Sequence, residues 1–419
     1  MTAMLPRALP ARIAVAVDDA VADAWRALWM SRLLVWAAAV AAVALFGLSG
    51  READFDPTGL TTPYGATGDA LAAPLGRWDS VWFIRIAADG YGDAASEAFF
   101  PLYPLLVRVA GALSGSMLIG GALASTALLG VALVLLHRLV ALDHSRAVAG
   151  NAVLVTALFP VSFFFSAVYS ESLFLALSIG AVYAARRERW AWAGALGLLA
   201  ATTRSAGVLL LVPLAMIYLW DAGRPSLRAM RPLRADALWL LLVPLGLVAY
   251  CGFLALAGHD ALAPFRAQEV WFRSFAGPFA GAWDGVVAAV EGARQLLSGA
   301  REPVYFEAAG GDPFVVARHN IALLVWLALA LVAVAGVLRR LPAAYGAYVV
   351  AALALPLSYP VAPQPLMSLP RFVAVLFPLA IWLALWMTGR AARERLVLGA
   401  FAVALAIHTA IFATWHWVA

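Results

Sequence analysis

The chain has no lysine, a single cysteine and few charges of any kind, and each shortage closes off a class of protein. With 13% charged residues against 64% hydrophobic ones and a mean hydropathy of +0.87, no soluble globular domain fits, because a surface facing water needs far more charge. Cys251 lies inside a hydrophobic run with no second cysteine to pair with, so an intramolecular disulfide is excluded and the residue reads as packing. The six histidines are scattered. His259, adjacent to Asp260, and His319 lack metal-ligand spacing, which leaves no zinc site. The sequence offers no glycine-rich phosphate loop and no Ser/His/Asp order, and no Asp-x-Asp pair is read as a nucleotide-sugar metal site. The 29 basic residues outnumber the 24 acidic ones. They cluster between apolar runs, where they report membrane topology rather than a nucleic-acid partner.

Long apolar runs are what the chain does have. Its 419 residues accommodate about eleven spans of roughly 20 residues each, which predicts an all-α polytopic membrane protein, a single integral domain over residues 1–419. The first run, 33–49, is preceded by Arg7, Arg12, Arg26 and Arg32 and lies too far in for a cleavable signal peptide, so the N-terminus is predicted cytoplasmic. Glu52, Asp54, Asp56, Asp69 and Asp79 then face only Arg51 and Arg77, which predicts an extracytoplasmic loop over 51–100. Arginines at 186, 187 and 189, at 224, 228, 231 and 234, at 339 and 340, and at 390, 393 and 395 mark cytoplasmic turns. Parity then gives a span over 118–137, a hairpin over 147–185 with its tip near Ser166 to Glu171 facing outward, and an out-and-back excursion over 190–220 that turns near Arg204. Spans follow at 236–257, 319–338, 343–358, 370–388 and 396–417. Residues 258–318 are left as the second extracytoplasmic loop, and the C-terminus as extracytoplasmic. The two halves show no repeat.

Four places carry chemistry, and all fall on the same predicted side. The first is RWDSVWFIRIAADGYG, residues 77–92, where Asp79 precedes an amphipathic stretch in which Val81, Trp82, Ile84 and Ile86 dip into the interface while Arg85 and Asp89 stay wet. Asp79 reads as a catalytic base or as the N-cap of an interfacial helix, and the roles are compatible. Pro101 and Pro104 in the following AFFPLYPLL punctuate a helix start. The second, FPVSFFFSAVYSESLFLAL at 159–177, places Tyr169, Ser170 and Glu171 at a hairpin tip, with Glu171 a capping residue or a site residue. The third, ATTRSAG at 201–207, breaks an apolar segment with Arg204. An arginine at membrane depth is costly; it suits a bidentate phosphate or a salt bridge to Glu171 or Asp79. The fourth, SLPRFVAVLFPLAIW at 368–382, puts Arg371 at the outer mouth of a span, either snorkelling or binding a ligand.

These motifs together resemble the PIG-V family, the glycosylphosphatidylinositol mannosyltransferase II proteins and their bacterial relatives within the GT-C glycosyltransferase superfamily. The resemblance runs in order from about residue 77 to 382, through RWDSVWFIRIAADGY, AFFPLYPL, FPVSFFFSAVYSESLF, TTRSAG and, more loosely, LPRFVAVLFPL. It implies a GT-C-like bundle of about eleven helices with interfacial helices in the first outer loop. It also implies inverting transfer of mannose from a polyprenyl-phosphate-mannose donor to a lipid-linked acceptor on the outer face. By the same resemblance Asp79 corresponds to the acidic residue of the first outer loop proposed as catalytic base, and Arg204 to the arginine of the RS pair. The absence of lysine and the abundance of alanine point to a bacterial enzyme of the plasma membrane acting on a glycolipid or cell-envelope glycan.

In this reading Asp79 accepts the acceptor hydroxyl proton within about 3 Å, and Arg204, with Arg371 or Arg85, holds the departing phosphate. Trp78, Trp82, Tyr103 and Tyr169 either stack on sugar faces and the prenyl chain or form an interfacial belt, and Gln268 and Trp271 are further sugar-contact candidates. No cofactor is called for, though a divalent cation held by Asp79 and Glu171 would need no recognisable motif. The alternatives are a lipid-linked sugar flippase, for which repeated halves are expected, a related enzyme with a protein serine or threonine acceptor, and a non-catalytic subunit that positions a prenyl-linked sugar.

Overall fold

A computed structural model describes residues 11–49, 55–72, 74–220, 223–225, 230–299, 312–361 and 364–418. Of the charges used to place the loops, Arg7, Arg51, Glu52, Asp54 and Arg228 lie outside these residues. Helices α1 (Ala11–Phe46), α2 (Gly65–Ala72), α3 (Asp79–Asp89), α4 (Leu102–Ser114), α5 (Met117–Val140), α6 (Arg146–Ala157), α7 (Glu171–Arg186) and α8 (Trp190–Ala201) build the first part. The rest consists of α9 (Leu211–Leu219), α10 (Leu242–Leu256), α11 (Ala263–Val270), α12 (Ala280–Ser298), α13 (Pro313–Arg340), α14 (Ala343–Leu357), α15 (Leu369–Ala374), α16 (Phe377–Met387) and α17 (Ala391–Ala413). Among the described residues no strand forms beyond an isolated bridge between Arg273 and Val361.

Among the described residues, five helical stretches are long and apolar enough to cross a membrane: Asp19–Phe46, Met117–Val140, Ala235–Leu256, Pro313–Arg340 and Ala391–Ala413. At 1.5 Å per residue the longest reach about 42 Å, beyond the roughly 30 Å hydrocarbon core. The chain is a polytopic membrane protein. Large apolar side chains such as Leu113, Leu256, Val332 and Leu396 point outward from the bundle, an arrangement that lipid, and not water, accommodates.

Local chemistry sets many of the ends. Ser116 caps α5 by accepting from the Ile119 amide, Ser145 caps α6 through Val148, and Asp312 caps α13 through Phe314 with Pro313 following. Several helices stop well short of a crossing: α6, α8, α14 and α16 run only 12, 12, 15 and 11 residues. Pro160 ends the apolar run of α6, and Pro356 and Pro360 end that of α14. Such breaks survive at membrane depth only where protein covers them.

At the hairpin tip every residue from Pro160 to Ser170 is buried in protein. The freed backbone groups are met from within. Arg32 of α1 donates to the carbonyls of Ala157 (2.9 Å) and Ser162 (2.7 Å), and to the hydroxyls of Ser162 and Ser166. Ser172 donates to Phe165 and Ser125 to the Tyr169 carbonyl. A cation at the carbonyl end of α6 is also favoured by that helix's dipole.

Helix α7 is the axis of the bundle. Apart from Tyr183 and Arg186 all its residues are buried, which suits a helix that is apolar all round. It packs on α5 and α8, and α8 packs on α10. Gly207 permits the turn after α8, since a Cβ there would stand 2.3 Å from the Ala200 carbonyl carbon.

Candidate active site

The start of α7, the turn after α8, the start of α3 and the short α15 meet at one point. Glu171 is the first residue of α7, with Ser170 before it and no side-chain cap bond. Instead of capping, its Oε1 accepts from Arg204 Nη1 at 2.5 Å, and Arg371 Nε lies 3.3 Å from the same oxygen. Asp79 likewise opens α3 without capping it. Its Oδ2 accepts from Arg371 Nη1 at 2.5 Å. The order Asp79, Arg371, Glu171, Arg204 is thus one continuous chain of ion pairs, drawn from residues 292 positions apart at its widest link.

The pairs are sheltered unevenly. The Glu171 side chain is 1% exposed, while those of Asp79, Arg371 and Arg204 are 17%, 13% and 17% exposed. Among the described residues Glu171 Oε2 has no hydrogen-bond partner. The Arg371 guanidinium lies 5.7 Å from the Phe164 ring and 5.6 Å from that of Tyr169. Both carboxylates therefore face guanidinium groups, with aromatic rings near Arg371, and Asp79 is the more exposed carboxylate of the two. Among the described residues no three His, Cys, Asp or Glu side chains gather as they would around a metal ion.

Trp78 and Tyr169 support this geometry from behind. Trp78 carries φ +54 and ψ −117, a conformation usually left to glycine. It is held there by its indole packing on Phe55, Trp415 and Trp417. Tyr169 is fully buried; its hydroxyl accepts from the Asp79 amide at 3.1 Å and donates to the Arg77 carbonyl at 3.2 Å. Neither ring presents a face for a sugar, so their part here is to fix the backbone at which Asp79 emerges. Tyr103 is likewise buried, bonded to Ser125.

The other sequence candidates fall outside the ion-pair chain. Arg85 stacks over Trp82 at 4.5 Å and pairs with Asp93 at 3.7 Å. Trp271 donates to the Ala95 carbonyl and packs edge-on against Trp82 and Phe99, binding the segment after α11 to the segment around α3. Gln268 donates to Pro264 within its own helix. His259 pairs with Glu97 at 2.6 Å, and His319 of α13 bonds with Gln364, so each histidine ties separate segments together. Asp54-Phe55-Asp56 does have Asp-x-Asp spacing. The Asp56 carboxylate accepts from Leu60 and Thr61 within its own turn.

One residue was missed by sequence reasoning. Arg273, between α11 and α12, donates to the carbonyls of Tyr359 and Met367, both at 3.1 Å. Its guanidinium stands 5.7 Å from the Phe372 ring, beside those of Arg204 at 5.6 Å and Arg371 at 5.8 Å. Burial, with Arg371 adding to it, lowers Arg273 to about 10, still protonated at neutral pH. A lone arginine between aromatics, WFRSF, was its only signal.

The family model described as Mannosyltransferase (PIG-V) matches residues 65–261. Over this segment the chain is similar to the PIG-V family. The segment holds Asp79, Glu171 and Arg204, whereas Arg273 and Arg371 lie beyond it. The chain is similar to the GPI alpha-1,6-mannosyltransferase 2 of Rattus norvegicus, 36% identical over 151 residues, covering 33% of this chain and 31% of the relative. It is similar to the Mus musculus protein of that name at 34% over 151 residues, with the same coverage. The PIG-V likeness thus spans about a third of the length of these curated relatives. No solved structure matches.

Proposed function

We propose that the chain is an inverting glycosyltransferase that moves mannose from a polyprenyl-phosphate-mannose donor to a lipid-linked or cell-envelope glycan acceptor. The reaction takes place at the extracytoplasmic face of the plasma membrane, with the N-terminus cytoplasmic. The observation that carries this reading is the ion-pair chain Asp79, Arg371, Glu171, Arg204 within and beside the PIG-V segment. It offers a partly exposed carboxylate at one end and guanidinium groups next to it.

The step balances as follows. The acceptor oxygen attacks the anomeric carbon, the bond from that carbon to the phosphate oxygen breaks, and its electron pair leaves with the polyprenyl phosphate. Asp79 takes the hydroxyl proton. Arg204 and Arg371 hold the phosphate as charge develops on it. Because Arg371 binds Asp79 Oδ2 in the free protein, a donor phosphate that draws Arg371 toward itself also frees that oxygen to act as base. Glu171 stays between the two arginines and keeps them apart and aligned.

The test is transfer of labelled mannose from a short-chain polyprenyl-phosphate-mannose into a total lipid extract by purified protein. Wild type is expected to label a lipid product and Asp79→Asn to label almost none while remaining monodisperse. Equal transfer by both proteins refutes Asp79 as base, and no transfer by either refutes the donor class. Peptide acceptors run in parallel distinguish a protein acceptor.

A further inference from the structure

Three arginines, 204, 273 and 371, place their guanidinium groups between 5.6 and 5.8 Å from the one Phe372 ring. Two of them are paired with the carboxylates Asp79 and Glu171. Arg273 has no ion-pair partner among the described residues; its guanidinium donates to two neutral carbonyls, which take two of its five N–H donors. Three positive charges against two negative ones leave the cluster one charge short of balance. Like charges crowded away from water repel strongly, so an arrangement of this kind is completed by an anion.

We infer that Arg273 is the third wall of a donor-phosphate seat beside Phe372, and that the unmatched charge it brings fits the seat to a phosphodiester carrying one negative charge. The inference rests on the proposed donor class and names a residue that it does not require. It also gives the second outer loop a part in the site. Through the Tyr359 and Met367 carbonyls, and through the Ala276 amide bonded to the Ser358 carbonyl at 3.0 Å, residues 273–276 strap down the segment that leads into Arg371. A single negative charge distinguishes a lipid phosphodiester from a nucleotide sugar or a prenyl diphosphate, each of which brings more.

The experiment measures competition against the labelled donor by two short prenyl compounds, the methyl diester of a prenyl phosphate and the matching uncharged prenol, with full-length protein in detergent. Wild type should prefer the diester. In Arg273→Gln that preference should fall by about tenfold, about 1.4 kcal/mol, while the prenol competes as before. Arg273→Lys keeps the charge and should retain most of the preference even though it loses the paired carbonyl bonds. An unchanged preference in Arg273→Gln, with the preference lost in Arg204→Gln and Arg371→Gln, overturns the role of Arg273 and leaves the donor reading standing. Equal weakening of both compounds in Arg273→Gln and Arg273→Lys overturns it too, since that is the mark of a strap alone. If wild type shows no preference for the diester, the donor reading and this inference fall together.

Discussion

Neutralising the two carboxylates of the ion-pair chain should separate catalysis from stability, because the structure gives them different numbers of partners. Glu171 is almost fully enclosed and serves both Arg204 and Arg371. Glu171→Gln strips two sheltered guanidinium groups of their shared counter-charge, and removing one partner of a buried pair costs about 3–5 kcal/mol. Asp79 is 17% exposed and, among the described residues, pairs with Arg371 alone, which keeps Glu171 when Asp79 is lost. A unit-charge pair at 4 Å is worth ~4 kcal/mol at an effective dielectric of ~20; with solvent screening and the surviving partner, Asp79→Asn should cost about 1–2 kcal/mol. Its turnover should nevertheless fall by about 10² to 10⁴, on the order of 3–5 kcal/mol of transition-state stabilisation. Melting temperatures in detergent, read beside mannose transfer for the same preparations, give both quantities. Asp79→Asn should melt near wild type and be nearly inactive, whereas Glu171→Gln should melt far lower. If Asp79→Asn is destabilised as much as Glu171→Gln, counting partners is the wrong account of this cluster. Near-normal turnover in Asp79→Asn would remove it as the base.

Arg32→Met removes the donors to the Ala157 and Ser162 carbonyls but leaves these backbone acceptors in place. It should therefore cost on the order of 3 kcal/mol, seen as a lower melting temperature, and a melting curve equal to wild type would refute this role. Gly207→Ala pushes a methyl into the Ala200 carbonyl and should shift the turn bearing Arg204; the expected result is lost stability and weaker donor binding together, and normal values for both would contradict the close approach. Arg186 grips Asp143 through two bonds of 2.7 and 2.8 Å and holds its carboxyl below the ordinary carboxylate range. The sign follows from that depression: the pair stabilises fully above the unfolded value of about 3.9 and loses its contribution as pH falls through the lower folded value. Wild type and Asp143→Asn should thus differ in melting temperature at neutral pH and converge only in acid below about pH 4, and a gap that closes near neutrality would refute the assignment.

The sequence by itself determined the class of fold and where many of the apolar runs lie. Apolar runs need membrane and arginines mark where several of them stop, whereas the caps Ser116, Ser145 and Asp312 are seen only in the structure. Asp79, Glu171, Arg204 and Arg371 were also legible one at a time, since a charge beside an apolar run is expensive wherever the run ends up. Their partners were not. Capping and ion pairing look alike in a sequence when a carboxylate precedes a helix, and only the approach of α15 to α3 and α7 turned Asp79 and Glu171 toward Arg371. The same is true of Trp78 and Tyr169, whose rings looked available for a sugar until the bundle closed over them. Arg273 was hidden for a related reason: its significance comes from Phe372, Arg204 and Arg371, which lie far from it along the chain. Hydrophobic periodicity and charge cost are local and can be read in order. Which charges share an oxygen or a ring depends on contacts across hundreds of residues, and tertiary packing alone decides it.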